Sequence, residues 1–180
     1  MARIVIVSGP CGSGKSTLSG LLAENSVYPA AAHIHTDDFY GYIRKGFIPP
    51  WEPESNAQNA TMIRAVAACA EEYCRGGYEV FIDGVVGPWF LEDWRGLAAK
   101  GLDVRYVILK PNLQETIRRA DARESAPRLS RETVEHMWND FDRLGEYETH
   151  TVDTTCQSAS ESAEVIRRML DAGDFRLKLG

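Results

Sequence analysis

The segment that decides the fold spans residues 9–16 and reads Gly9-Pro10-Cys11-Gly12-Ser13-Gly14-Lys15-Ser16. It matches the Walker A pattern, GxxxxGK followed by Ser or Thr, at every fixed position. A β-branched run at 4–7 precedes it and predicts a buried strand, and leucines at 18, 21 and 22 follow at helical spacing. Because a phosphate-binding loop requires this strand and this helix, we prefer that interpretation to a chance glycine-rich turn.

The chemistry of such a loop assigns roles to its residues. Glycines let the backbone curl so that successive N–H groups point at phosphate oxygens, and the following helix adds the positive end of its dipole. Lys15 is expected to reach the β- and γ-phosphates of ATP, and the Ser16 hydroxyl to bind Mg²⁺. We interpret Cys11 as a small loop side chain rather than a reactive thiol. The predicted nucleotide-binding residues here are Gly9, Pro10, Cys11, Gly12, Ser13, Gly14, Lys15, Ser16 and Thr17.

The composition of the chain restricts its domain number, its partners and its location. The chain has 180 residues, 44% of them hydrophobic, which suffices for one domain over 1–180. A formal net charge of -6 disfavours nucleic acid as a partner. No apolar run approaches the roughly 18 residues of a membrane span, and the N-terminus does not resemble a signal peptide. The cysteines form no CxxC pair, and with the histidines they show no zinc-ligand spacing. We predict a cytoplasmic monomer or homodimer without membrane or nucleic-acid partners.

Short apolar runs alternate with amphipathic stretches along the chain. Strands are predicted near 4–7, 32–35, 78–82, 104–109 and 150–153. Helices are predicted after the loop and near 56–75, 91–100, 113–122, 134–144 and 165–170. The stretch 39–55 is rich in aromatics, Gly and Pro and is expected to be irregular. This alternation predicts an α/β domain with a mostly parallel sheet, whose ligands gather at the carboxyl ends of the strands.

Two carboxylates follow the second predicted strand. Phosphoryl transfer to an alcohol needs a base for the attacking hydroxyl and a metal on the β- and γ-oxygens. Asp37 is our candidate base, and Asp38 is expected to turn towards metal-bound water, a substrate hydroxyl or a backbone N–H. The alternative is that the pair only caps a helix or forms a turn.

The third predicted strand ends in an acid. Val80-Phe81-Ile82-Asp83 has the form of a Walker B motif, whose carboxylate usually holds Mg²⁺ through water. A plain strand-end Asp is the alternative. The predicted metal site therefore consists of Ser16, Asp83 and Asp38.

Arginines cluster near residue 125. The cluster comprises Arg118, Arg119, Arg123, Arg128 and Arg131. A mobile flap that carries these arginines, broken by Pro127, would place their charges over the transferred phosphoryl group and exclude water. Arg119 and Arg123 are four residues apart and are the predicted catalytic pair. The alternative is a solvated basic helix face.

These elements together resemble a family. The motifs that carry the resemblance are GPCGSGKST at 9–17, HTDDFY at 35–40, VFIDG at 80–84, RRADARESAPR at 118–128 and GEYETHTVDTT at 145–155. They are similar to the small P-loop kinases that include gluconate kinase, shikimate kinase and chloramphenicol phosphotransferase. TDDFY, with the later Trp51-Glu52-Pro53, also resembles uridine and nicotinamide riboside kinases. The resemblance implies a P-loop NTPase fold, a three-layer α/β/α sandwich with a five-stranded parallel sheet and a short Arg-rich lid over residues 120–132. It also implies ATP as donor and Asp37 as the base.

The same resemblance implies where the ligands lie. Asp153 and Thr154 would sit by the adenine, with Arg119 stacking on it. The acceptor pocket would be lined by Asp37, Asp38, Phe39, Tyr40, Trp51 and Trp89, although these aromatics could equally be ordinary core. No carboxylate clamp for a sugar acid or shikimate is present, so the acceptor does not carry over. The predicted function is ATP-dependent phosphorylation of a hydroxyl on a small molecule. The alternative is an ATPase switch or a nucleotide-binding module without an acceptor.

Overall fold

Five parallel strands form a sheet at the centre of the molecule. We describe residues 2–122 and 129–178 of a computed structural model. The strands are β1 Arg3–Ser8, β2 Ala31–His35, β3 Glu79–Asp83, β4 Asp103–Leu109 and β5 Thr151–Val152. Their order in the sheet is β2-β3-β1-β4-β5, and each pairing is parallel. The predicted five-stranded parallel sheet is therefore confirmed.

Helices cover both faces of this sheet. They are α1 Lys15–Glu24, α2 Thr36–Gly41, α3 Asn56–Arg75, α4 Glu92–Ala99, α5 Leu113–Asp121, α6 Arg131–Asp140 and α7 Ala159–Ala172. Short 3₁₀ turns occupy Pro53–Ser55, Pro88–Phe90 and Gly145–His150. None of the helices in the described part of the chain is long and apolar enough to cross a membrane.

The strands alternate their side chains between two hydrophobic cores. Ile4 and Ile6 of β1 belong to a core shared with α3 and α4, whereas Val5 and Val7 belong to a core shared with α1 and α7. Since β1 is flanked by β3 and β4, all six of its residues are buried. This packing gives the three-layer α/β/α arrangement expected from the sequence.

The segment after β2 differs from the prediction. Residues 39–55 were expected to be irregular, but α2 begins at Thr36, directly where the strand ends, and continues to Gly41. Asp37 and Asp38 lie in its first turn, where negative charge is favourable to the helix dipole. The remaining stretch, 42–52, contains neither helix nor strand. The start of α2 consequently lies at the same edge of the sheet as the glycine-rich loop.

Candidate active site

The glycine-rich loop connects β1 to α1 in a backbone path that only glycine can follow. Gly9 and Gly12 have φ angles of 138° and 83°. A Cβ atom on Gly9 would lie 2.2 Å from the carbonyl oxygen of Leu109, and one on Gly12 would lie 2.4 Å from that of Thr116. The loop is thus pressed against the end of β4 and against α5, which fixes its curl.

The loop separates two cavities. The first cavity, of about 390 Å³, lies between α1, α5 and the start of α7. The second cavity, of about 410 Å³, lies between α2, α3 and α6. Both volumes are in the range of small-molecule sites. Lys15 and Ser16 line both cavities, so a group bound at the start of α1 could be reached from either side.

Arg119 forms one wall of the first cavity. Its guanidinium donates hydrogen bonds to the carbonyl oxygen of Thr154 at 2.8 Å and to the hydroxyl of that residue at 3.2 Å. It also donates to Glu115 Oε1 at 2.7 Å. Hydrogen bonds from Arg118 and Arg119 lower the pKa of Glu115 to about 2. These contacts join α5 to the loop after β5 and hold Arg119 in place.

Of the two residues predicted to lie near the adenine, Thr154 lines the first cavity and Asp153 does not. The carboxylate of Asp153 accepts hydrogen bonds from the backbone N–H of Thr155 at 2.8 Å and from its hydroxyl at 2.5 Å. Asp153 therefore shapes the turn, and the prediction that it contacts nucleotide gains no support from the geometry.

Asp37 lies in the wall of the second cavity. It shares this wall with Lys15, Ser16 and Asp83. Thr36, the residue before it, is only 2% exposed and packs against Gly84, so closely that a Cβ at Gly84 would lie 2.0 Å from the Thr36 hydroxyl. This close approach holds the start of α2 against the end of β3.

The other predicted acceptor residues divide into two groups. Tyr40, Trp51 and Trp89 line the second cavity. Asp38 and Phe39 are not among its lining residues: Asp38 is exposed, and Phe39 packs on the core beside α3. The reason is that α2 is a helix, in which successive side chains point about 100° apart. The roles predicted for Asp38 as metal ligand and acceptor contact, and for Phe39 as acceptor contact, thus lack support.

Asp83 is buried and has three side-chain partners. It is 4% exposed, and Ser16 donates a hydrogen bond to its Oδ2. Its Oδ1 lies 2.8 Å from His33 Nε2 and 2.7 Å from His35 Nδ1. Burial by itself would raise the pKa of Asp83, but the hydrogen bonds from His33 and Ser16 and the nearby imidazoles hold this pKa below its usual value.

This arrangement fits the predicted magnesium position. Mg²⁺ prefers hard oxygen ligands, and Ser16 and Asp83 bring a hydroxyl and an ionised carboxylate together at the start of α1. Lys15 Nζ donates to the carbonyl oxygen of Pro10 at 2.8 Å within the loop. The hydroxyl of Ser13 is buried without a hydrogen-bond partner in the described structure.

The aromatic segment beside the second cavity is fixed by hydrogen bonds to α3. Tyr40 Oη donates to Asn59 Oδ1 at 2.8 Å, and Asn59 Nδ2 donates to the carbonyl oxygen of Pro50 at 2.9 Å. Gln58 makes two hydrogen bonds with the backbone of Ile48, at 2.9 and 2.6 Å. Burial, together with the charge of Asp37, raises the pKa of Tyr40 to about 12. The cavity wall is therefore held in one conformation.

The predicted lid is only partly within the described structure. Arg123 and Arg128, with the central residues of the lid, lie outside the described residues. Arg118 and Arg131 are exposed and pair with glutamates of their own helices, Glu115 and Glu135. The prediction that a lid arginine acts on the phosphoryl group stays a prediction.

Residues 5–139 match the family model described as "AAA domain". The chain belongs to this AAA domain family. The matched range runs from β1 almost to the end of α6, so it contains Lys15, Asp37 and Asp83.

The chain is similar to several proteins that are kinases. A guanylate kinase from Rubrobacter xylanophilus is 25% identical to this chain, and the match covers 96% of this chain and 97% of that protein. A sugar kinase from Janibacter sp. HTCC2649 has a TM-score of 0.71 at 18% identity, with 95% of each chain covered. Shikimate kinase from Acinetobacter baumannii has a TM-score of 0.66 at 18% identity, covering 98% of this chain and 97% of its own. The resemblance to small P-loop kinases is thereby confirmed at the level of fold.

Several residues of the AAA domain site were not predicted. His33 and His35 come together with Asp83, although the spacing of histidines and cysteines had suggested no metal cluster. His136 and Asp140 of α6 line the second cavity. The spacing of two residues in His33-Ile34-His35 on a strand, and of four residues on a helix, could have indicated that each pair shares one face, but not what that face contacts.

Proposed function

We propose that this AAA domain protein transfers the γ-phosphoryl group of ATP to a hydroxyl of a small molecule. The single observation that carries the proposal is the position of Lys15 and Ser16 between two cavities, with Asp37 in the wall of the second. A donor in the first cavity and an acceptor in the second would meet at the start of α1. This is the arrangement that an in-line displacement requires.

The donor side follows from the loop. Its backbone N–H groups and Lys15 would hold the β- and γ-phosphates, and Arg119 and Thr154 would bound the nucleoside. Ser16 and Asp83 would hold Mg²⁺, which neutralises charge on the β- and γ-oxygens when it is bound. The short path from the loop to Asp83 supports one shared site for the metal and the phosphates.

In the transfer step one proton moves to Asp37 and one bond to the γ-phosphorus is exchanged for another. The carboxylate of Asp37 accepts the proton of the acceptor hydroxyl, and the alcohol oxygen forms a bond to the γ-phosphorus. The bond between that phosphorus and the β,γ-bridging oxygen breaks, and ADP leaves with the electron pair. Lys15 compensates the charge that develops on the bridging oxygen. Asp37 is exposed on the first turn of α2 and lines the second cavity, so an acceptor hydroxyl there could reach its carboxylate.

The charge of the second cavity narrows the class of acceptor. Its described wall contains four acids, and Lys15 is the one Lys or Arg among its described residues. The acids are Asp37, Glu52, Asp83 and Asp140. An acceptor that carries its own phosphate or carboxylate would be repelled there. The aromatic and aliphatic side chains of the same wall include Trp51, Met62, Trp89 and Met137. We therefore infer an acceptor that is uncharged or cationic and partly apolar.

One observation favours a second candidate function. The relative from Rubrobacter xylanophilus is a guanylate kinase and matches nearly the full length of both chains. If this chain shared that activity, its acceptor would be the phosphate of GMP and not a hydroxyl. The excess of acids in the second cavity argues against this, because a nucleotide acceptor brings negative charge.

An acceptor screen separates the two. ADP release from Mg-ATP is followed with a panel of uncharged and cationic alcohols, including nucleosides and aromatic alcohols, beside an anionic set of GMP, gluconate and shikimate. We expect ADP release to rise with members of the first set only. Rapid turnover with GMP would establish the second function instead. ADP release that ignores every acceptor would point to an ATPase switch.

A further inference from the structure

Two histidines of β2 converge on the acid at the end of β3. His33 and His35 are separated along the strand by Ile34, so their rings lie on one face of the sheet. The pairing of β2 with β3 places His35 opposite Asp83. Both imidazoles reach the same carboxylate oxygen, with His33 Nε2 at 2.8 Å and His35 Nδ1 at 2.7 Å from Asp83 Oδ1.

The three side chains lie close enough together to share a single ion. Each offers one ligand atom, and these three atoms all lie within 4.8 Å of one another. Two ligands on one tetrahedral or octahedral ion, each about 2.1 Å from it, are about 3.0–3.4 Å apart. A widening of the N–O separations by a few tenths of an ångström therefore makes room. The side chain of Asp83 is 5% exposed and that of His35 is 41% exposed, so the cluster is anchored in the core and open to solvent.

The donor set differs from that of the magnesium position. Two neutral imidazole nitrogens and one carboxylate oxygen suit Zn²⁺ and similar transition-metal ions, whereas Mg²⁺ prefers oxygen ligands alone. We propose that His33, His35 and Asp83 form a binding site for a transition-metal ion of the Zn²⁺ class. Three protein ligands leave a fourth position for water.

The site adjoins the phosphate-binding loop through one side chain. Asp83 faces the imidazoles with Oδ1 and accepts the hydrogen bond of Ser16 with Oδ2. A transition-metal ion on Oδ1 would withdraw negative charge from the carboxylate that supports Mg²⁺ under the proposed function. Occupancy is consequently expected to inhibit Mg²⁺-dependent turnover. The binding itself does not depend on that function, so it is tested separately.

Direct titration with ZnCl₂ tests the binding. Isothermal calorimetry is performed on the Cys156→Ser protein, which lacks an exposed thiol that could capture zinc. We expect one Zn²⁺ per chain, with affinity reduced at least 10-fold by His35→Ala and by His33→Ala. His136→Gln, which removes a histidine outside the cluster, is the matched control and is expected to leave the affinity unchanged. Co²⁺ absorption spectra report the ligands, since thiolate coordination would add a strong near-ultraviolet band.

Each outcome of these titrations decides the proposal. Loss of affinity in both cluster variants, with melting temperatures within a few degrees of the parent, supports it. No Zn²⁺ binding at micromolar concentrations would overturn it, and the histidines would then act only as hydrogen-bond partners of Asp83. Binding that survives His35→Ala, or a spectrum with thiolate coordination, would also overturn it by placing the ion elsewhere.

Inhibition is measured once the screen above has supplied an acceptor. ADP release in excess Mg-ATP is compared with and without Zn²⁺ for the parent and for His35→Ala. ATP binds the same share of the zinc in both assays, so the difference in inhibition between the two proteins reports zinc bound to the protein. We expect the parent to be inhibited at least several-fold more than the variant. Equal inhibition would refute the link between the ion and turnover.

Discussion

Substitution of Gly84 by alanine should displace the candidate base without touching it. The φ angle of Gly84 is not positive, so the backbone there can accept alanine, and the expected loss of stability comes from a steric clash. The new Cβ would lie 2.0 Å from Thr36 Oγ1, 2.6 Å from Cγ2 and 2.8 Å from Cβ. Thr36 is 2% exposed and has no solvent to turn into. Relief of the contact to about 3 Å requires a shift of about 1 Å at the start of α2.

This shift is expected to lower both the free energy of unfolding and the rate of phosphoryl transfer. Overpacking of this kind costs about 1–3 kcal/mol of unfolding free energy. Because Asp37 follows Thr36, the same shift of about 1 Å should reduce the rate of phosphoryl transfer by about 100-fold, which corresponds to about 2.7 kcal/mol in the activation barrier. Nucleotide affinity should change little, since the loop at 9–16 is not part of the contact.

The assay is a double-mutant cycle. Urea denaturation and acceptor-dependent ADP release are measured for Gly84→Ala, Thr36→Ala and the double variant. Thr36→Ala removes the two nearest atoms, so the double variant should recover most of the loss, with a coupling energy of at least about 1 kcal/mol. Gly96→Ala is the matched control, because a Cβ at Gly96 meets nothing within 4 Å and alanine favours its helix α4. Additive effects, or a Gly84→Ala protein with parental rate and stability, would refute the reasoning.

Three further predictions concern neighbouring groups. Lys15→Ala should abolish turnover and weaken ATP binding in calorimetry. Substitution of the exposed Lys45 by alanine should do neither. Full ATP affinity of the Lys15→Ala protein would show that Lys15 does not bind the phosphates. Asn59→Ala should lower the unfolding free energy by about 1–3 kcal/mol in urea, since it removes the acceptor of Tyr40 Oη and the hydrogen bonds of Asn59 Nδ2 to Pro50 and Ser55. Thr61→Ala on the exposed side of α3 should be nearly neutral. Because the pKa of Tyr40 in the folded protein is raised to about 12, Tyr40 should stabilise the fold fully below pH 10 and lose that contribution as pH rises towards 12. The difference in phenolate absorbance between the parent and Tyr40→Phe should show ionisation of Tyr40 near pH 12, and ionisation near pH 10 would contradict the prediction.

Local sequence signals predicted the part of the site that is built locally. The loop at 9–16 could be predicted because its glycines, lysine and serine are adjacent in the chain and need only the strand before and the helix after. Asp83 could be placed because an apolar run ends there. The parallel sheet followed from the alternation of strands and helices, and it brought Asp37 to the same edge.

Contacts that depend on register and helix phase could not be predicted in this way. The pairing of His35 with Asp83 joins residues 48 positions apart and depends on how β2 aligns with β3. The family resemblance implied that Asp38 and Phe39 line the acceptor pocket, whereas the phase of the helix at 36–41 leaves them outside the lining of the second cavity. The contribution of His136 and Asp140 depends on how α6 packs, which the sequence pattern of one helix does not determine.

The most direct test of the central claim compares Asp37→Asn with Asp38→Asn, two neighbouring and nearly isosteric changes. Transfer of ³²P from γ-labelled ATP to the acceptor that the screen identifies is measured in single turnovers, together with ATP affinity. We predict that Asp37→Asn retains ATP binding and loses two or more orders of magnitude in transfer rate, while Asp38→Asn stays within a few-fold of the parent. Undiminished transfer by Asp37→Asn would contradict the account, because no base would then be required at the mouth of the loop.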